Sequence, residues 1–147
     1  MKVTLMLADH AQAVQGKLFI SGGGATTVTI GTPFGIALIV EVPWDQANER
    51  HEFRLRLLDE DGQAVLLPGP NGASPLEVGG SFEVGRPPGT KKGSRLPFPL
   101  ALNFGPMPLA PDTLYVWALD INGQSSPDWQ LVFSAVPPAQ LTTPETL

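Results

Sequence analysis

The chain has 147 residues, no cysteine, 16 glycines, 16 prolines and a formal net charge of −5. The lack of cysteine excludes a disulfide framework, cysteine-bound zinc, iron–sulfur ligation and a thiol nucleophile. The acidic balance argues against a general nucleic-acid binder, which needs a basic face to contact phosphates. So many turn-forming residues, in a chain of which only 16% is charged, predict one domain of short strands rather than a helical bundle.

The first half of the chain shows strand periodicity with one helical interruption. The predicted strands span residues 3–8, 17–21, 26–30, 34–42, 51–58 and 63–67. The stretch FGIALIVEV at 34–42 is apolar on both faces, which is typical of a central strand. A short helix is predicted near 43–51, where Pro43 and Asp45 suit a first turn.

The second half is predicted to form strands at residues 76–84, 96–104, 114–120 and 129–135. Pro97 and Pro99 alternate with apolar residues, which indicates an edge strand or a switch between sheets because proline cannot donate to a ladder. Tyr115, which follows the turn-like Pro111-Asp112 at the entry to its strand, resembles the tyrosine corner of immunoglobulin-like domains. The chain is therefore predicted to be all-β: a single antiparallel, immunoglobulin-like β-sandwich of about 8–10 strands over residues 1–136, followed by a Pro- and Thr-containing tail at 137–147.

Two similar stretches, LDEDGQ at 58–63 and LDINGQ at 119–124, suggest either calcium loops or hairpin turns. A calcium loop needs six to eight oxygen ligands, and each stretch offers only two side-chain donors before its glycine. Each stretch also follows an alternating strand, and Asp-Gly and Asn-Gly supply the positive φ angles of tight hairpins. We therefore expect two turns, no bound metal, and a melting temperature that calcium does not change.

Motifs for catalysis are incomplete throughout the chain. His51 and Glu52 begin a zinc-protease motif, but Leu55 stands where its second histidine belongs. Gly22 to Gly24 lack the lysine of a phosphate-binding loop. His10 and His51 are the only histidines, and we expect both in turns or on the surface. No nucleophile, base and orienting group can be assembled, so we predict that the chain is not an enzyme and uses no cofactor.

Three tryptophans are the candidates for a ligand-binding surface. Trp117 alternates with Tyr115 and Leu119, which places it in the core. Trp44 lies beside Pro43 and the predicted helix and is the most exposed candidate of the three. Binding of a small ligand or carbohydrate through exposed aromatic side chains is therefore an alternative function.

Two segments are candidates for contact with a partner. The loop at 85–95, GRPPGTKKGSR, holds Arg86, Lys91, Lys92 and Arg95, four of the nine basic residues of the chain. Because it cannot bury its charges, we expect it to be exposed, and a solvated loop without function is the simpler interpretation. The alternative is that it binds an anionic partner surface, in which case Lys91→Glu and Lys92→Glu would weaken the association in a salt-dependent way. In the tail, prolines restrict the free chain, and Leu141 and Leu147 are predicted to fill shallow pockets on a neighbouring subunit, with packing on their own domain or a crystal contact as the alternatives.

The stretches GKLFISGGG, PWDQANERHEFRLRLLDEDGQ and PDTLYVWALDINGQ resemble a family of short bacterial proteins known only as a domain of unknown function. The resemblance covers roughly residues 1–136 and implies a bacterial, β-rich, non-catalytic protein with no family active site to carry over.

From the residues and the resemblance together, we expect a protein-interaction or assembly module whose partner is another protein or a second copy. We expect neither nucleic acid nor membrane as a partner. The apolar start before Asp9 is too short for a signal peptide and no segment could span a membrane, so the expected location is cytoplasmic.

Overall fold

A computed structural model of the chain describes residues 1–138, and Leu141 and Leu147 lie outside this part. The described chain is all-β, as the sequence predicts, and contains twelve strands and one three-residue 3-10 turn at Trp44–Gln46. The strands are β1 Lys2–Ala8, β2 His10–Val14, β3 Lys17–Ser21, β4 Thr27–Thr29, β5 Phe34–Val42, β6 His51–Asp59, β7 Leu66–Leu67, β8 Ser74–Pro75, β9 Glu77–Phe82, β10 Leu96–Phe104, β11 Thr113–Ile121 and β12 Gln124–Val136.

Two larger sheets and two small hairpins make up this architecture. The three-stranded sheet has the order β1-β5-β10, and the five-stranded sheet has the order β4-β12-β11-β6-β9. All pairs in them are antiparallel except β4 with β12, which are parallel. The hairpins β2-β3 and β7-β8 each form a separate two-stranded sheet. That the chain forms a single immunoglobulin-like sandwich stays a prediction.

Aromatic rings join the two larger sheets across one core. The ring of Phe104 on β10 stacks on Trp117 of β11 at 5.1 Å between centroids. Phe98 of β10 stacks on Phe82 of β9 at 4.4 Å. Trp117 has no exposed surface, which confirms its predicted place in the core. Ring pairs of this kind add stability beyond the apolar area that they bury.

The predicted roles of two strands are confirmed. The apolar strand β5 is the middle strand of its sheet, flanked by β1 and β10. The proline-bearing strand β10 is an edge strand, where missing N–H donors are tolerated. The side chain of Asn103 on β10 holds the backbone of β2 over one face of this sheet: its Nδ2 donates to the carbonyl of Ala11 at 2.8 Å, and its Oδ1 accepts from the N–H of Ala11 at 3.1 Å.

Glycine at position 35 is needed for this contact between β10 and β2. Gly35 lies opposite Asn103 in the ladder. A Cβ atom on Gly35 would stand 2.6 Å from the Asn103 Oδ1. The side chain of Asn103 therefore passes over a position that only glycine leaves open.

The helix predicted near 43–51 is wrong in extent. Only Trp44–Gln46 form a 3-10 turn, because Asn48 takes a φ of 60° and β6 already begins at His51. A left-handed residue ends a right-handed helix.

Both predicted turns, and the tyrosine corner, are confirmed. Asn122 and Gly123 have φ values of 52° and 75° and join β11 to β12 as a two-residue hairpin loop. In the other stretch, the Oδ1 of Asp59 accepts the N–H groups of Asp61 and Gln63, each at 2.9 Å. The hydroxyl of Tyr115 accepts the N–H of Ala110 at 2.8 Å, five residues upstream.

Candidate functional site

The basic loop folds one of its cations back onto the domain. The guanidinium of Arg86 lies 4.6 Å from the centroid of the Trp44 ring. Its Nη2 also donates to the Trp44 carbonyl at 2.6 Å. These two predicted site residues, 42 positions apart, therefore form one unit held by a cation–π contact and a hydrogen bond. Trp44 is half-buried rather than a free aromatic platform.

The other three basic residues of the loop lie in different surroundings. Arg95 is exposed and lies 3.8 Å from the carboxylate of Glu41, a surface ion pair of small energetic value. Lys91 and Lys92 are exposed in a turn, as the sequence predicts, and within residues 1–138 neither forms an ion pair. The four predicted cations therefore do not form one patch with a common partner in the fold.

A charged groove of about 480 Å³ lies on the outer face of the five-stranded sheet. At its centre the Nη2 of Arg54 donates to the Oδ2 of Asp120 at 2.9 Å, and its Nε lies 3.5 Å from Glu77. Arg56 approaches the same Asp120 oxygen at 3.5 Å. The hydrogen bond to Asp120 raises the pKa of Arg54, with desolvation opposing and the charge of Glu77 adding to this shift. The groove is thus lined by charges that already neutralise each other.

Strand β9 forms one wall of this groove and is also the edge of its sheet. Within residues 1–138 its sequence, EVGGSF, pairs with β6 alone, and Gly79, Gly80 and Ser81 are exposed. Gly79 and Gly80 add no side chain to the edge. An unpaired row of N–H and C=O groups on such an edge is a template for another strand.

The direction of each backbone group along β9 follows from its ladder. The N–H of Leu57 donates to the carbonyl of Leu76, the residue just before β9, at 3.2 Å. Residues in an antiparallel ladder alternate between facing the partner and facing away. It follows that Glu77, Gly79 and Ser81 direct their N–H and C=O groups away from β6. In agreement, Glu52, which pairs with Ser81, makes its own backbone bonds to Asn122 on the opposite side.

A second concave surface surrounds Trp129, which is half-buried on β12. On one side lies a pocket of about 280 Å³ lined by Glu49, Arg50 and Gln124, among others. On the other side lies a groove of about 460 Å³ that includes Arg95 and Asp128. The indole of Trp129 therefore separates two polar hollows. Among the tryptophans, it is Trp129 rather than Trp44 that borders open space on both sides.

His51 differs from its expected surface position, because the residue is buried, with 3% of its surface exposed. Its Nε2 lies 2.9 Å from the carbonyl of Gln46, so that nitrogen carries the proton. Its Nδ1 accepts from the Nδ2 of Asn122 at 3.0 Å, and the Oδ1 of Asn122 accepts the N–H of Glu52 at 2.9 Å. Both ring nitrogens are engaged in joining the 3-10 turn to the β11-β12 turn, which is a structural use of the histidine.

Within residues 1–138, no group of three or more His, Asp or Glu side chains is arranged to hold a metal ion. In the same part of the chain, no helix has the length and apolar character that crossing a membrane requires.

The chain belongs to the family described as a family of unknown function, DUF6941, whose family model matches residues 3–133. This match confirms the resemblance drawn from the three sequence stretches. No curated protein matches the chain. Among solved structures, the sensor domain of the anti-sigma factor RsgI4 in Pseudobacteroides cellulosolvens is similar to it, with a TM-score of 0.42 and 14% identity over 99% of this chain and 100% of that one.

Proposed function

We propose that this member of the DUF6941 family is a non-catalytic protein-interaction or assembly module, and that it binds its partner along strand β9. The observation that supports this proposal is the open edge of the five-stranded sheet at Glu77–Phe82. Strand addition at such an edge gains affinity from main-chain hydrogen bonds. The charged groove beside β9 is lined by Arg54 and Glu77, so polar side chains would border the added strand.

The other edges of the two larger sheets are less suited to strand addition. Pro97 and Pro99 remove donors from β10. On β1, the carbonyl of Leu7 already accepts the N–H of Gly24 at 2.8 Å. Strand β4 is only three residues long. Strand β9 has six residues and carries neither proline nor lysine, the usual guards of an edge.

Within this proposal the two larger sheets act as one immunoglobulin-like sandwich that holds β9 rigid. The ring contacts across the core and the Tyr115 corner support that reading. The non-catalytic part of the proposal is supported by His51, whose two nitrogens are both committed to structural contacts. The proposal keeps the bacterial origin and cytoplasmic location expected from the sequence, the latter to be tested by cell fractionation.

Site-specific photo-crosslinking in the source cell tests the proposal. A photoreactive benzophenone residue replaces Ser81 on the open edge, and in a control variant it replaces Gln12, which is exposed on β2. We expect a covalent adduct with a protein from position 81 and none from position 12. Adducts at neither position, or equal adducts at both, would overturn the proposal whatever the identity of the captured protein.

A second candidate function, binding of a small ligand or carbohydrate, is favoured by the position of Trp129 between two polar hollows. Sugars stack on aromatic faces while polar side chains orient their hydroxyls, which is the usual composition of such sites. A glycan panel monitored by tryptophan fluorescence tests this candidate. Trp129→Ala should abolish any quenching, whereas Trp44→Ala, which removes the ring that Arg86 covers, should leave it intact. Lack of quenching across the panel would exclude carbohydrate binding at this site.

A further inference from the structure

We propose that the partner of β9 is a second copy of this chain, joined edge to edge and antiparallel, with Gly79 of each copy at the two-fold axis. This inference rests on the proposed function and adds the identity of the partner and the register of the contact. The two five-stranded sheets would then continue into each other through the pair of β9 strands.

The backbone of β9 offers three residues for this contact. Glu77, Gly79 and Ser81 direct their N–H and C=O groups away from β6, and all three are exposed. In an antiparallel pair, each facing pair of such residues exchanges two hydrogen bonds. Pairing all three residues with a second copy therefore forms about six main-chain hydrogen bonds.

Symmetry and charge select one register. A two-fold axis at Gly79 pairs all three outward residues: Gly79 with its own copy, and Glu77 with Ser81 of the partner subunit in both directions. An axis at Glu77 would place two carboxylates directly opposite each other, which is unfavourable, and an axis at Ser81 would pair fewer residues within the strand. Closed two-fold contacts of this self-complementary kind are the commonest form of homo-oligomer.

Glycine at the axis leaves the outer face of the paired strands free of side chains at its centre. Gly79 lies opposite Arg54 in the ladder with β6, and the guanidinium of Arg54 is directed to Asp120 and Glu77 instead of across the edge. The two Gly79 residues therefore add no side chain to the outer face where the two β9 strands would meet. The charged grooves of the two copies would meet there, so each copy completes the wall of a groove on the other.

The mass of the protein in solution tests self-association directly. We expect the wild-type chain to give twice 15.6 kDa in light scattering, with a shift toward 15.6 kDa on dilution. Ser81→Pro removes an outward N–H while sparing the ladder with β6, so this variant should remain folded and be monomeric. Ser81→Thr keeps the N–H group and is the matched control, expected to dimerise like the wild type. A wild-type mass of 15.6 kDa up to about 1 mM would overturn the inference.

Disulfide trapping tests the register without relying on the proline variant. The chain has no cysteine of its own, so introduced thiols report only on the designed positions. Facing residues of this kind are about 5.5 Å apart at their Cα atoms, within the range that a disulfide spans. The double variant Glu77→Cys with Ser81→Cys should form a covalent dimer on mild oxidation, whereas Ser81→Cys alone should not. A dimer that both variants trap equally, or that neither traps, would overturn the register.

These outcomes separate the inference from the proposed function. A monomeric wild-type protein, together with a crosslink from position 81 to a different protein, would exclude the second copy and leave the interaction module intact. A wild-type dimer that Ser81→Pro does not dissociate would mean that the copies meet elsewhere, and would overturn the edge pairing.

Discussion

At the scale of single residues, the side chain of Asn122 connects three parts of the fold. It holds the left-handed turn between β11 and β12, accepts the N–H of Glu52 and donates to His51. Asparagine tolerates this backbone conformation and also supplies both a donor and an acceptor. A residue selected for a turn thus also fixes the ring of a buried histidine.

Replacing Asn122 with glycine should separate these two roles. Asn122→Gly retains a residue that accepts a φ of 52° but leaves the buried Nδ1 of His51 without a donor. We expect a loss of about 1–3 kcal/mol in the free energy of unfolding, measured by urea denaturation. The control is Gln15→Gly, because Gln15 has a φ of 50° in the β2-β3 turn. Equal losses in the two variants would show that the turn conformation, and not the side-chain bonds, decides the effect.

The carboxylate of Asp59 has a comparable local use, since it accepts two backbone N–H groups of its own turn. We therefore expect millimolar calcium, compared with a chelator, to leave the melting temperature unchanged. A ligand that binds only the native state raises stability by mass action, so a bound ion would raise the melting temperature. A rise of several degrees that Asp59→Asn and Asp61→Asn abolish would contradict this expectation.

At the scale of elements, the hairpin β2-β3 is attached to the three-stranded sheet through the side chain of Asn103. Asn103 makes two hydrogen bonds with the backbone of Ala11. In Asn103→Ala both are lost, and we expect amide hydrogen exchange across His10–Val14 and Lys17–Ser21 to accelerate more than exchange in β5. Gln12→Ala, an exposed change in the same hairpin, serves as the control. Unchanged exchange in Asn103→Ala would mean that the hairpin is held by other contacts.

Some strands are predicted from the sequence more accurately than others, because the prediction depends on the residue pattern within each strand. Strands β3, β5 and β10 begin and end as predicted because each is an apolar run between turn residues. Strand β2 escaped prediction because HAQAV alternates only weakly. Its turn, Gln15-Gly16, has φ values of 50° and 75° and matches the Asn122-Gly123 turn in geometry, but Gln-Gly is not a recognised turn signal.

The candidate site was predictable only in part because it depends on which strands are neighbours. Alternation in β6 shows that Arg54 and Arg56 share a face, but the partner Asp120 lies 66 positions from Arg54. Arg86 was predicted as a contact residue, yet nothing local indicates that it covers Trp44. The open edge of β9 becomes visible only once the order β4-β12-β11-β6-β9 is known.

At the scale of the whole molecule, the tail predicted as a contact arm can be tested independently of β9. Leu141 and Leu147 lie outside the described residues, so their predicted role rests on the sequence. Truncation after Val136 should lower the assembly mass or the melting temperature if the tail contacts a neighbouring subunit. Leu141→Ser with Leu147→Ser should have the same effect, since the two leucines supply the apolar surface. If the shortened chain keeps both values, the contact-arm hypothesis is wrong.

The parallel pairing of β4 with β12 constrains the order in which the chain acquires its structure. Thr27 pairs with Ser134, roughly a hundred positions later, and β12 is also the neighbour that β11 requires. During synthesis, the indole of Trp117 has emerged before the strand that completes its sheet. Until β12 is synthesised, the nascent chain exposes an apolar strand with unpaired backbone N–H and C=O groups. Such a segment is the kind that chaperones bind. We expect this topology to fold on a millisecond-to-second timescale, because its closing pair of strands is non-local.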